Sequence, residues 1–151
     1  MKSLTPRTMM LLFVCILTTL SYGQRPVHPT VVGTWHLVRI ESPGPDGKPS
    51  EASQPAGMLI YTKDGYAAVQ LMYPQTSLSN EFVHDGYEAT FGTYDIDARK
   101  HQLVYHVQGS ATREKLIGTS ETLHYEFPDT RHMIIRPTQA DQHWSANWER
   151  Y

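Results

Sequence analysis

The chain of 151 residues contains a single cysteine, Cys15, and that residue lies in the apolar stretch near the start. Whatever remains after that stretch therefore has no disulfide, no thiolate nucleophile and no cysteine-based metal site. A basic surplus is missing too: 13 Lys and Arg stand against 15 Asp and Glu. Sequence-independent binding to phosphate backbones needs a positive surface, so nucleic acid is disfavoured as a partner. No Gly-rich loop opens a helix, which removes the usual seat for a dinucleotide or a phosphate. No Gly-x-Ser-x-Gly elbow and no His-Glu-x-x-His pair occurs. Long helical stripes are absent as well.

What is present begins with a leader. Lys2 and Arg7 precede the uncharged run Met9 to Leu20 (MMLLFVCILTTL), and Ser21-Tyr22-Gly23 puts small residues at −3 and −1 of a cleavage site. Residues 1–23 thus read as a secretory signal peptide. The run would span roughly 18 Å as a helix, short of the ~30 Å hydrocarbon core, so a stable membrane span is not expected. Cys15 sits mid-run behind Val14, which argues against a lipid-modified cysteine. Loss of Lys2 and Arg7 with the leader would leave 11 basic residues against 15 acidic ones. The expected location is the periplasm or the outside of the cell. The expected domains are a signal peptide over 1–23, an N-terminal extension over 24–31 and one folded unit over 32–151.

Beyond Gln24, short runs rich in Val, Ile, Thr and Tyr alternate with turn chemistry, the pattern of an antiparallel all-β protein. Eight strands are expected: Gly33 to Glu41, Gly57 to Thr62, Tyr66 to Tyr73, Tyr87 to Asp97, Gln102 to Gly109, Gly118 to Phe127, Arg131 to Pro137 and His143 to Tyr151. One helical turn is expected near Glu81. With no helix to cover a sheet face, two packed sheets or a closed barrel are the available solutions. An eight-stranded barrel encloses room for side chains or one small ligand.

The blocks GTWHLV (Gly33–Val38), GMLIYTKDGYAAVQLM (Gly57–Met72), FVHDGYEATFGTYDID (Phe82–Asp97), VYHVQGS (Val104–Ser110) and the closing WER (Trp148–Arg150) follow a recognisable order and spacing. In these blocks the chain resembles the lipocalin-like domain family of small bacterial and fungal proteins. The resemblance implies an eight-stranded up-and-down barrel with a central cavity, and says less about chemistry. It also implies structural roles for Gly33, Trp35 and Arg150. Trp35 would plug the closed end, with Arg150, or failing that Arg136, packed over the indole as a cation–π cap.

Two functional expectations follow. The first is a binding protein for a small hydrophobic or amphipathic molecule, with Gln70, Met72, Tyr94, His106 and Trp148 projecting inward. The register behind it takes Lys63-Asp64-Gly65 as a three-residue turn, so that Thr62 pairs with Tyr66. Met58, Ile60, Ala68, Gln70 and Met72 then share one face, taken as the cavity face. Pairing Tyr94 with Val104 would set Gly92 opposite His106, leaving space beside the imidazole. The second expectation is an isomerase- or cyclase-type enzyme that moves one proton through His106 or Tyr94 in the same cavity. A histidine-ligated haem is a weaker third reading, and a colourless protein would remove it. No motif calls for a cofactor or a metal: of the eight histidines, His84, His101, His132 and His143 flank turns. Glu121, Glu126 and Asp97 read as alternating polar residues of an exposed barrel face.

Overall fold

The computed structural model describes residues 29–42, 55–74 and 79–151. The signal-peptide reading of 1–23 and most of the 24–31 extension lie outside the described residues. Within them the chain is an all-β, closed eight-stranded antiparallel barrel, each strand bonded to the next in sequence and the last to the first. The strands are β1 (Gly33–Glu41), β2 (Ala56–Tyr61), β3 (Tyr66–Met72), β4 (Tyr87–Asp97), β5 (Gln102–Ser110), β6 (Ser120–Glu126), β7 (His132–Pro137) and β8 (Ser145–Arg150). The region around Glu81 holds bends rather than the expected helical turn, and the short helical element is instead a 3₁₀ turn over Glu114–Leu116.

Alternation along each strand decides what faces the interior. Trp35 and Leu37 on β1, Leu59 and Tyr61 on β2, and Leu103, Tyr105 and Val107 on β5 are all buried. So are Leu123 and Tyr125 on β6, Met133 and Ile135 on β7, and Ala146 and Trp148 on β8. A bulge between Leu37 and Arg39 on β1 adds one residue. It restores inward alternation at Ile40, which packs against the core.

The closed end is built around Trp35, which has no exposed surface. Its indole N–H donates to the Val31 carbonyl at 2.8 Å. The Arg150 guanidinium carbon stands 4.1 Å from the ring centroid. Its two terminal nitrogens donate to the carbonyls of Val32 (2.9 Å) and Thr30 (2.6 Å). Arg136 is elsewhere, paired with Glu126 at 3.1 Å. Gly33 has φ +149°, and a Cβ there would collide with the Arg150 guanidinium. That collision is the physical content of the Gly-x-Trp pattern: the glycine leaves the place that the arginine occupies.

Two registers carry the consequences for function. Between β2 and β3, Tyr61 pairs with Ala67 and Met58 with Gln70, so the three-residue turn holds and Met58, Ile60, Ala68, Gln70 and Met72 share a face. That face is the outer one. Trp35 pairs with Leu59 on β2, and a residue beside the buried plug must itself point inward. Between β4 and β5, Tyr94 pairs with Tyr105 and Thr93 with His106. The turn takes four residues, Ala98 to His101, with His101 at φ +54°. The expected Tyr94–Val104 pairing is therefore off by one residue, and such a slip reverses every side chain on the partner strand.

Candidate functional site

The interior above the Trp35 plug encloses a cavity of about 430 Å³. The turns after β2, β4 and β6 close the lower end. At the upper end the described residues of the connections after β1, β3, β5 and β7 contribute Ser42, Phe82 and Val83, Leu116, and Gln142 and Trp144 to the lining. Val83 is 1% exposed, so the segment before β4 folds down onto the barrel. Arg113 fixes it there, with Nε and Nη2 donating to the Val83 carbonyl at 3.0 and 2.6 Å. Asn80 shapes the turn, its Oδ1 accepting from the amides of Phe82 and Val83 at 2.9 and 2.8 Å.

The wall is largely apolar, with Leu59, Val69, Leu71, Val107, Leu123 and Ile135 prominent. Its polar groups are few and placed at different depths. The Tyr105 hydroxyl donates to Thr90 Oγ1 at 3.0 Å, so both are satisfied across β4 and β5. Burial pushes the Tyr105 hydroxyl up to about 12 and raises that of Tyr61 further. Glu88, inward from β4, and Glu121, inward from β6, are carboxyls in this apolar setting. Burial lifts Glu88 to about 7, with the Glu121 charge adding to it. Burial likewise lifts Glu121 to about 7, with Glu81 adding to it. Three buried polar atoms have no hydrogen-bond partner among the described residues: Glu121 Oε1, Gln142 Oε1 and Trp148 Nε1. All three belong to residues that line the cavity.

The residues singled out from sequence separate into three groups. Trp148 lines the cavity and is 3% exposed. Tyr94 projects inward but below the cavity: its ring meets Tyr61 edge-on at 4.8 Å, and its hydroxyl donates to the Thr62 carbonyl at 2.6 Å. It helps seal the floor. Gln70, Met72 and His106 do not face the cavity. Met72 is 51% exposed on the outer wall, and Gln70 is exposed beside it. His106, its side chain 38% exposed, bonds Ser120 Oγ through Nδ1 at 2.7 Å and Asp95 Oδ2 through Nε2 at 3.0 Å. The register slip at the β4–β5 turn put it there. Gly92 makes no room for an imidazole; a Cβ at that position would strike the His106 backbone carbonyl.

The Ser120–His106–Asp95 series has the residue types of a nucleophilic triad without its setting. Asp95 is 83% exposed on its side chain, so water screens it, and the strand amides around it are committed to the ladder. Glu121 corrects a second expectation, since it points into the barrel rather than onto an outer face. Glu88 was missed altogether. Its signal was available: Glu88, Thr90, Gly92 and Tyr94 share one face of β4, so an inward Tyr94 carries Glu88 inward with it.

Solved structures similar to this chain include two of the fluorescent protein UnaG. A single-site mutant shows 19% identity and a TM-score of 0.42, covering 80% of this chain and 96% of that one. The wild type shows 16% identity and a TM-score of 0.41, covering 80% and 97%. No curated protein matches the chain. The model of the lipocalin-like domain matches residues 32–151, nearly the whole barrel with its plug and closing strand, and the chain belongs to the lipocalin-like domain family.

Proposed function

We propose that this protein is an exported binding protein whose barrel holds one small, largely apolar organic molecule. One observation carries the reading: an apolar cavity of about 430 Å³ into which a few polar atoms converge without partners. Binding sites for small molecules have this composition, an apolar wall for affinity and sparse polar groups for orientation. A core meant only for stability would satisfy those atoms or replace them with hydrocarbon. Export is supported by the leader over residues 1–23. Native mass spectrometry of the protein from its own host tests the binding reading directly. A retained small molecule, lost on Leu71→Trp substitution in the cavity wall, is the expected result. A protein free of any molecule, which also fails to take up apolar dyes, would refute it.

A second reading is proton transfer on a bound substrate. With His106 outside the barrel, it rests on Glu88 and Glu121, whose carboxyls titrate near neutrality. It predicts turnover that falls by about 10²-fold or more in Glu121→Gln while ligand binding survives.

A further inference from the structure

The side chains lining the cavity that can carry a charge near neutral pH are all carboxyls. Glu88 and Glu121 reach in from β4 and β6, and Glu81 lines the upper end. The other titratable groups facing them are the hydroxyls of Tyr61, Tyr73 and Tyr105. No lysine, arginine or histidine lines the cavity among the described residues. An ionised carboxylate in an apolar enclosure is costly unless a cation or several donors face it. Trp148 adds a second, independent sign of a missing partner. It is 3% exposed, it lines the same cavity, and its indole N–H is unpartnered.

We propose that the molecule held in the cavity is an amphiphilic amine, its protonated nitrogen held by the carboxylates of Glu88 and Glu121 and its apolar body against the barrel wall. The inference rests on the binding reading above and names the ligand class for it. A charge-assisted contact to an ammonium group returns to these carboxylates what burial removes. The Trp148 N–H is left to meet one acceptor oxygen on the same molecule. An anionic amphiphile would instead bring like charge against the two carboxyls and leave the ionised forms without a counter-charge.

Because Glu88 and Glu121 are partly protonated near neutral pH, an incoming ammonium group displaces protons from them. Binding therefore strengthens as pH rises from 5.5 to 8 and releases protons through that range.

Calorimetric titration of the processed full-length protein with three probes of one shape decides the matter: phenylbutylamine, phenylbutanol and phenylbutyrate, at pH 8. The amine is expected to bind at least about 10-fold tighter than the alcohol, with the butyrate weakest. Near pH 6.5 the amine's binding enthalpy should vary with the ionisation heat of the buffer. In the double variant Glu88→Gln/Glu121→Gln the amine should lose its advantage over the alcohol. Equal binding of amine and alcohol, or preference for the butyrate, overturns the amine inference and leaves the binding reading standing. Failure of all three probes overturns the amine inference, and the binding reading falls with it where apolar dyes are not taken up either. If the double variant does not fold, the ranking of the three probes on the unsubstituted protein still decides.

Discussion

Glu88→Gln should stabilise this protein several-fold more at pH 8 than at pH 5. In the folded state the Glu88 carboxyl titrates at about 7 instead of 4.5, so the native state binds the proton more tightly than the unfolded chain does. The stability tied to that proton is present in full below pH 4.5 and is lost as pH rises through 7. Each tenfold change in proton affinity is worth about 1.4 kcal/mol, which puts the loss at about 3 kcal/mol for Glu88 and a similar amount for Glu121. A glutamine keeps the shape and never ionises, so it escapes the loss. Urea denaturation followed by circular dichroism, at pH 5, 6, 7 and 8, should show the difference between variant and wild type growing from about 1 to about 3 kcal/mol. Part of the Glu88 shift comes from the Glu121 charge, so the double glutamine variant should gain less than the two single gains added. A difference that stays flat with pH would refute the claim that burial in the cavity holds these carboxyls.

Trp35→Ala should destabilise the barrel by about 3–5 kcal/mol, Arg150→Ala by less, and a double-mutant cycle should show them coupled by about 1 kcal/mol or more. Additive losses would mean that the guanidinium contributes only through the two carbonyls it caps. Gly33→Ala should cost about 2 kcal/mol or more, because the left-handed backbone and the Arg150 guanidinium both oppose a Cβ, and its loss should shrink in an Arg150→Ala background. His106→Gln should leave any ligand affinity within twofold and stability within about 0.5 kcal/mol, as for a solvated surface residue. A large loss of binding there would place the site on the outer wall instead. Intact mass of exported protein should lack residues 1–23.

The strand count, the Lys63-Asp64-Gly65 turn and the plug were legible because they rest on local chemistry. Gly33, Trp35 and the Lys63-Asp64-Gly65 turn act through neighbours a few residues away or through a strand pairing that the blocks themselves define. The facing of the strands was less legible. The β2–β3 register follows from the turn, yet a register does not say which of its two faces is inside. Composition did say so: Leu59, Tyr61, Ala67, Val69 and Leu71 form a face without a single amide, whereas the face taken as the cavity carries Gln70. The His106 placement failed on one residue of turn length, since a histidine at φ +54° is a conformation that a sequence pattern rarely announces. Glu121 was hidden for a different reason, and Glu88 was legible only through the facing of Tyr94. Alternation assigns charged residues to water by default, and a carboxyl turned inward violates the rule that is used to find the inside.

The Arg150–Trp35 cap also has a consequence for how the chain reaches this state. Its hydrogen bond from Arg150 to Val32 spans 118 residues, and it belongs to the one strand pairing, β1 with β8, that joins the two ends of the barrel. Every other pairing is between consecutive strands and can zip up locally. The ring itself stays open until β8 has been made, and through that interval β1 presents an unpaired edge able to recruit another copy. Folding speed and aggregation during folding are thus governed by the last pairing to form, and a weakened cap would first be noticed as poor yield of a protein that is stable once folded.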